Sequence, residues 1–283
     1  MTRKTPLETL LGNLQLERLD RDLFLGDPGP GSGRLFGGHV AAQSVMAAGM
    51  TLAPDAGDIH SLHAYFLRGG SHDVPIRFVV DRIRDGRTFS TRHVVAYQGG
   101  EAIFDLSASF ARPEEGVEHQ GVMPDAPGPE GLPTHEDHRG EILEDAERRQ
   151  RHAPIEIRVC DPDIPGEVQP PFKRMWIRPA GGLPEAPLVH AALLVYASDR
   201  TLLSTAARPH GLAWGKRMSA SLDHAVWFHS PARFDDWVLY VAESPVARAA
   251  RGLIHGSMWN RQGVRIASVA QEGLIRRPRE QGL

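Results

Sequence analysis

The 283-residue chain has a single cysteine, Cys160. No intramolecular disulfide can form and a cysteine-built zinc site is excluded, so a reducing compartment, the cytoplasm, is expected. Positive charge is not in excess. Thirty-two Lys and Arg against 35 Asp and Glu leave a net charge of −3, so no overall field gathers nucleic acid or an anionic membrane surface. Long apolar runs are missing as well: Ala191 to Ala197 is far too short to span a bilayer, and no membrane insertion is expected. Neither end reads as an address, because Glu8, Gly12, Asn13 and Gln15 break the run a signal peptide needs and REQGL carries no sorting signal. No GxSxG, HExxH, GxxxxGK[ST] or complete GxGxxG pattern occurs; GPGSGRLF lacks the last glycine and precedes the wrong element. With 41% hydrophobic and 24% charged residues, what is left is an ordinary globular chain, neither fibrous nor disordered.

What is present is periodic. Leu7, Leu10, Leu11 and Leu14 form one apolar stripe of an amphipathic helix. After a Gly/Pro-rich loop, Gly26 to Gly33, the pair Gly37-Gly38 opens HVAAQSVMAAGM, whose small and apolar residues show no wide polar face and predict a helix buried nearly all round. Residues 61 to 110 alternate as strands, with turn signals at Asp85-Gly86 and Gly99-Gly100. Prolines 113, 124, 127, 129 and 133 then exclude regular structure, and the charged HEDHRGEILEDAERRQRH that follows reads as a solvated helix at most. His135, Glu136, Asp137 and His138 have metal-donor chemistry, but a polar linker limits them to adventitious binding; no metal or cofactor is expected.

The pattern repeats. His39-VAAQSVMAA has a counterpart in His190-AALLVYAS, Ser61-LHAYF in Ser221-LDHAVWF, and Gly100-EAIFDLSA in Gly263-VRIASVAQ. The separations are 151 (190 − 39), 161 (224 − 63) and 163 (263 − 100), so the halves agree except for about ten extra residues between Thr201 and Arg217. Each half is a buried helix followed by an antiparallel meander, an α+β unit whose curved sheet wraps its helix. The expected division is a first half over 1–112, a linker over 113–172 and a second half over 173–283, with continuous sheets, a pseudo-twofold and a cleft between the helices.

RLFGGHVAAQ, HSLHAYFLRGG, RDGRTFSTRHVVAYQGG, ASFARPEEGVEHQ, MPDAPGPEGLP, LVYASDR, SLDHAVWFHSP and VAQEGLIR cover both halves in order. As an ordered set they resemble the acyl-CoA thioesterase II family, whose fold is a double hotdog. The resemblance implies hydrolysis of fatty acyl-CoA to free acid and CoA by a water that an Asp, a Thr or Ser and a Gln hold and activate. It carries these roles onto Asp199 in YASD, Ser221 in ASLDH and Gln271 in VAQEG. Ser221 stands where many bacterial members have Thr and keeps the hydroxyl. Residues 134 to 173 depart from the pattern, and there a lid or an acyl-chain preference would differ. Association of such chains is common in the family, so a homodimer or larger homo-oligomer is expected.

Read without the resemblance, Asp199 is either a buried carboxylate with a task or a surface residue of a helix-end turn, and Ser221 and Gln271 are ordinary strand residues. The repeat matches Asp199 to a position near Ala48 and Gln271 to Ala108, so one active centre per chain, in the second half, is expected. Backbone N–H groups of Gly37 and Gly38 at a helix start would suit an oxyanion, or the glycines merely permit close packing. Arg84, Arg87 and Arg92, or Arg248 and Arg251, are candidates for CoA phosphates. His39, His63, His190 and His224 recur in both halves, which argues for packing roles, with His224 near enough to Ser221 to tune the site. Met175, Trp176, Trp227, Trp237 and Trp259 read as core or acyl-tunnel lining. Two rival functions share the scaffold: an enoyl or hydroxyacyl thioester hydratase or dehydratase recruiting His39 or His224, and a non-catalytic acyl-CoA-binding protein.

Overall fold

A computed structural model describes residues 4–142, 153–212 and 218–277. Helix α1, Pro6–Asn13, starts at a capping box in which Thr5 and Glu8 satisfy each other's backbone N–H, and it buries Leu7 and Leu10. Strands β1 (Glu17–Asp20) and β2 (Leu23–Gly26) lead to helix α2, Gly37–Gly49. Then come β3 (Asp58–Phe66), β4 (Ile76–Asp85), β5 (Phe89–Gln98) and β6 (Glu101–Ala111). Both turns fall where the glycines stand, but only Gly99 and Gly100, between β5 and β6, take positive φ; Gly86, between β4 and β5, does not. The second half contributes β7 (Ile155–Val159), β8 (Phe172–Pro179), helix α4 (Pro187–Ser198), helix α5 (Leu202–Ala207), β9 (Met218–Ser221), β10 (Asp223–Phe228), β11 (Val238–Arg248), β12 (Arg251–Asn260) and β13 (Arg265–Arg276). A short helix α3, His135–Ile142, lies between the halves.

All pairing is antiparallel, and a single sheet runs β1-β2-β4-β5-β6-β3-β10-β13-β12-β11-β8-β7, with β9 beside β13. The halves meet at β3 and β10, so the sheet is continuous across the pseudo-twofold. Each half wraps one helix. Residues 38–45 of α2 and 190–198 of α4 are buried without a polar face, as the small-residue patterns require. The two helices run antiparallel. A Cβ on Gly38 would stand 2.8 Å from the Tyr196 carbonyl, and one on Gly49 would meet the Leu188 side chain, so the start of α2 lies against the end of α4.

Three expectations change. Inside the stretch read as linker, Ile155–Val159 pairs with β8 as the sheet's edge strand, alternating buried and half-buried residues. The charged segment after Thr134 is not wholly solvated, because α3 buries His135; residues 143–152 of that segment lie outside the described residues. The match of His63 to His224 is one residue out of register. Leu62 faces Ala108 across β3 and β6, and the β10–β13 register sets His224 beside Gln271, the counterpart of Ala108. A one-residue slip reverses the face. His224 and Leu62 therefore point into the core, and His63 is exposed with its ring against Trp227.

The linker also has a structural task. Met123, Ala126 and Leu132 pack on Trp176, Trp237 and Trp259 on the outer face of the second half's sheet. The Trp176 indole N–H donates to the Pro127 carbonyl at 2.8 Å. No helix among the described residues is long and apolar enough to cross a membrane.

Candidate active site

Asp199 caps the C-terminal end of α4, and two residues later Thr201 takes φ 66, a left-handed conformation costly for a β-branched residue. That sharp turn ends one helix and starts α5. It leaves the Asp199 carboxylate half-buried at the floor of a cleft of about 610 Å³. Ser221, the last residue of β9, donates its hydroxyl to Asp199 Oδ1 at 3.3 Å. Gln271, fully buried on β13, donates Nε2–H to Ser221 Oγ at 2.7 Å and also reaches the carboxylate. The Gly38 backbone N–H, at the start of α2, gives Asp199 a further hydrogen bond from the other half of the chain. The structure thus brings Asp199, Ser221, Gln271 and Gly38 together, and Gly37 adjoins them, its Cβ position being 3.1 Å from Asp199 Oδ2. Gly38 N–H serves the carboxylate itself.

Burial pushes the Asp199 carboxyl up to about 6, and the Gly38, Gln271 and Ser221 hydrogen bonds and the Arg200 charge hold it from rising further. An ionised carboxylate so placed is a base near neutral pH. His224, which the repeat had assigned to packing, lies one bond behind. Its Nδ1 is 2.7 Å from Gln271 Oε1 and its Nε2 is 2.7 Å from Ser198 Oγ. Burial lowers the imidazole to about 4, against the Gln271 hydrogen bond, so the ring is neutral at physiological pH. His39 and His190 do have packing roles: each sets Nε2 on a backbone carbonyl, of Asp27 and of Pro184.

The cleft walls correct two readings. Its apolar lining is Leu35, Phe36, Val40, Phe66, Ile103, Phe104 and Leu203. Of the two readings of Met175 and the four tryptophans, tunnel lining fails, since none of them lines the cleft, and core holds for Met175, Trp176, Trp237 and Trp259, the three tryptophans lying under the linker. Among the described residues the arginines along it are Arg34, Arg68, Arg139 and Arg200, whereas Arg84, Arg87, Arg92, Arg248 and Arg251 do not line it. Arg92 is buried, holding Asp85 and Thr51, and Arg251 pairs with Glu272. The cleft arginines were not legible because three of them, Arg34, Arg68 and Arg200, come from loop segments without periodicity. The signal available was their adjacency to matched stretches: Arg34 opens RLFGG and Arg200 ends YASDR. His135 also lines the cleft, held down to about 2 by burial and by the charges of Lys173, Arg139 and Arg200.

Residues 142–274 match the acyl-CoA thioesterase family, and residues 26–111 match the acyl-CoA thioesterase N-terminal domain. The chain is 40% identical to acyl-coenzyme A thioesterase 8 of Mus musculus over 280 residues, covering 93% of this chain and 87% of that protein. The chain belongs to the acyl-CoA thioesterase family. It is also 35% identical to acyl-CoA thioesterase 2 of Haemophilus influenzae, covering 95% of this chain and 98% of that one. A crystal structure of an acyl-CoA thioesterase II from Mycobacterium marinum superposes with TM-score 0.79 at 37% identity, covering 97% of this chain and 99% of that one. Membership makes the chain a thioester hydrolase of the double hotdog fold.

Proposed function

We propose that the chain hydrolyses fatty acyl-CoA to free acid and CoA by direct attack of a water on the thioester carbonyl. The observation that carries this reading is the cluster at the cleft floor: a half-buried carboxylate with a raised pKa, a hydroxyl and a buried amide, mutually hydrogen-bonded where two helix ends meet. Ser221 and Gln271 orient the water. Asp199 takes its proton, and the water oxygen bonds to the carbonyl carbon. The oxyanion of the tetrahedral intermediate meets the N-terminal end of α2, where Gly37 N–H is the donor, since Gly38 N–H holds the base. The C–S bond then breaks, and the proton on Asp199 passes to the departing sulfur.

The apolar wall from Leu35 to Phe104 suits an acyl chain, and the four cleft arginines suit the phosphates of CoA. A hydratase would need a histidine facing that chain, but His39 is bonded to the Asp27 carbonyl and His224 to Ser198 and Gln271, and neither lines the cleft. The lone cysteine fits a reducing compartment, the cytoplasm. The test is thiol release from short to long acyl-CoAs alongside hydration of an enoyl-CoA. Thiol release without hydration is expected; hydration without thiol release, or tight acyl-CoA binding with neither, overturns the reading. Short acyl-pantetheine thioesters, which lack the nucleotide phosphates, serve as the second substrate. Arg34→Ala with Arg68→Ala is expected to raise KM for acyl-CoA several-fold and leave acyl-pantetheine unchanged.

A further inference from the structure

The two ends of the Gln271 amide have nearly the same shape and opposite hydrogen-bonding sense, so something must decide which end faces the base. A carboxylate only accepts, and Ser221 spends its single hydroxyl hydrogen on Asp199. The Gln271 atom 2.7 Å from Ser221 Oγ must therefore be the nitrogen, which leaves Oε1 pointing away, to His224 Nδ1 at 2.7 Å. An amide oxygen cannot donate, so that ring nitrogen carries the hydrogen. Nε2 is then a bare acceptor, so the single hydrogen of the Ser198 hydroxyl, which has the Val195 carbonyl at 2.9 Å and Nε2 at 2.7 Å as acceptors, goes to the ring. Ser198 sits on the last turn of α4, and its backbone carbonyl is held by the buried Tyr240 hydroxyl at 3.0 Å. Every hydrogen along Ser198, His224, Gln271, Ser221 and Asp199 then runs toward the carboxylate. The first half carries Leu62 and Ala108 at the places of His224 and Gln271, so the histidine and the glutamine occur as a pair.

We propose that His224 is a positioning residue whose Nδ1–H locks the Gln271 amide with its nitrogen toward Asp199 and Ser221. A flipped amide would set an oxygen against the carboxylate and against Ser221 Oγ, removing the two N–H donors that hold the base and the hydroxyl in place. Its effect on rate rests on the thioester-hydrolase reading; the tautomer does not. Burial of the ring, which keeps it neutral, is the condition under which one nitrogen donates and the other accepts.

Two measurements on the full chain test this. Nitrogen-15 NMR of the histidine rings near pH 7.5, with His224 assigned by its absence in His224→Asn, is expected to show Nδ1 protonated and Nε2 bare. An Nε2–H tautomer or an imidazolium overturns the proposal. In thiol-release kinetics, His224→Asn, whose amide nitrogen can occupy the Nδ1 place, is expected to keep kcat within about fivefold. His224→Gln, which reaches the Nε2 place instead, is expected to lose about 10²-fold in kcat with KM little changed, the scale of a misplaced catalytic group. Equal kcat in folded Asn and Gln variants overturns it. A wild type that releases no thiol overturns the hydrolase reading alone, and the tautomer still decides the position of the amide.

Discussion

Asp199 is the residue at which stability and activity pull apart. Folding raises its carboxyl from an ordinary 3.8 to about 6 through burial, so the ionised form is less favourable in the folded chain than in the unfolded one. The folded state is therefore penalised above pH 6 and not below 3.8. Asp199→Asn is expected to raise the melting temperature at pH 8, with the gain shrinking between pH 6 and 3.8 and gone below it; an unchanged or lowered melting temperature at pH 8 contradicts this. The same pKa sets the acid limb of the reaction. Since the base acts ionised, kcat should be level above pH 6 and fall about tenfold per pH unit below it, measured by thiol release across pH 4.5 to 8.5. The types of Asp199, Ser221 and Gln271 were readable through the family resemblance, and their mutual contact came from the fold. The nearness of His224 to Ser221 was readable, but its inward direction was not, because one residue of slip in the repeat turned an inward side chain into the counterpart of an outward one.

At the scale of elements, the site depends on how closely two helix ends approach. A Cβ on Gly38 would stand 2.8 Å from the backbone carbonyl of Tyr196 and 2.6 Å from the Phe36 ring, and backbone cannot swing aside. Gly38→Ala is expected to part α2 from α4, lowering both the melting temperature and kcat, the latter at least about tenfold, because Asp199 loses its N–H partner. Gly12→Ala in α1, where a Cβ meets nothing within 4 Å, is the control. It should stabilise the chain by about 0.5–1 kcal/mol and leave kcat alone, as calorimetry and thiol release would show. Both buried helices were legible because a run of small and apolar residues without a polar face has one place to go. β1 was not legible: all four of its residues, Glu17 to Asp20, are exposed and carry no alternation. The alternation in β7, IEIRV, was present but was masked by the prolines and charges around it.

Across the whole molecule, duplication supplies the scaffold and the second half supplies the polar set. Asp199, Gln271 and His224 stand where the first half has Ala48, Ala108 and Leu62, so the first helix keeps only its glycine start for the shared cleft. The outer faces also differ. The linker covers the tryptophans of the second half, whereas Tyr65, Val79, Ile83 and Phe89 on the first half are exposed. The homodimer or larger assembly that the family resemblance implies is tested by light scattering on the eluting protein: a multiple of 31.1 kDa is expected, and a wild type that elutes as a monomer contradicts it. Neither the linker's cover nor the open face could be read from the sequence, because both depend on which side of a strand faces out.

Whether Asp199 activates a water at a thioester carbonyl is decided by thiol release from a saturating acyl-CoA by wild type and by Asp199→Asn of unchanged near-ultraviolet circular dichroism. Hydrolysis by the wild type and a loss of about 10²- to 10⁴-fold in kcat for the variant are expected. A folded variant that hydrolyses at the wild-type rate would contradict this.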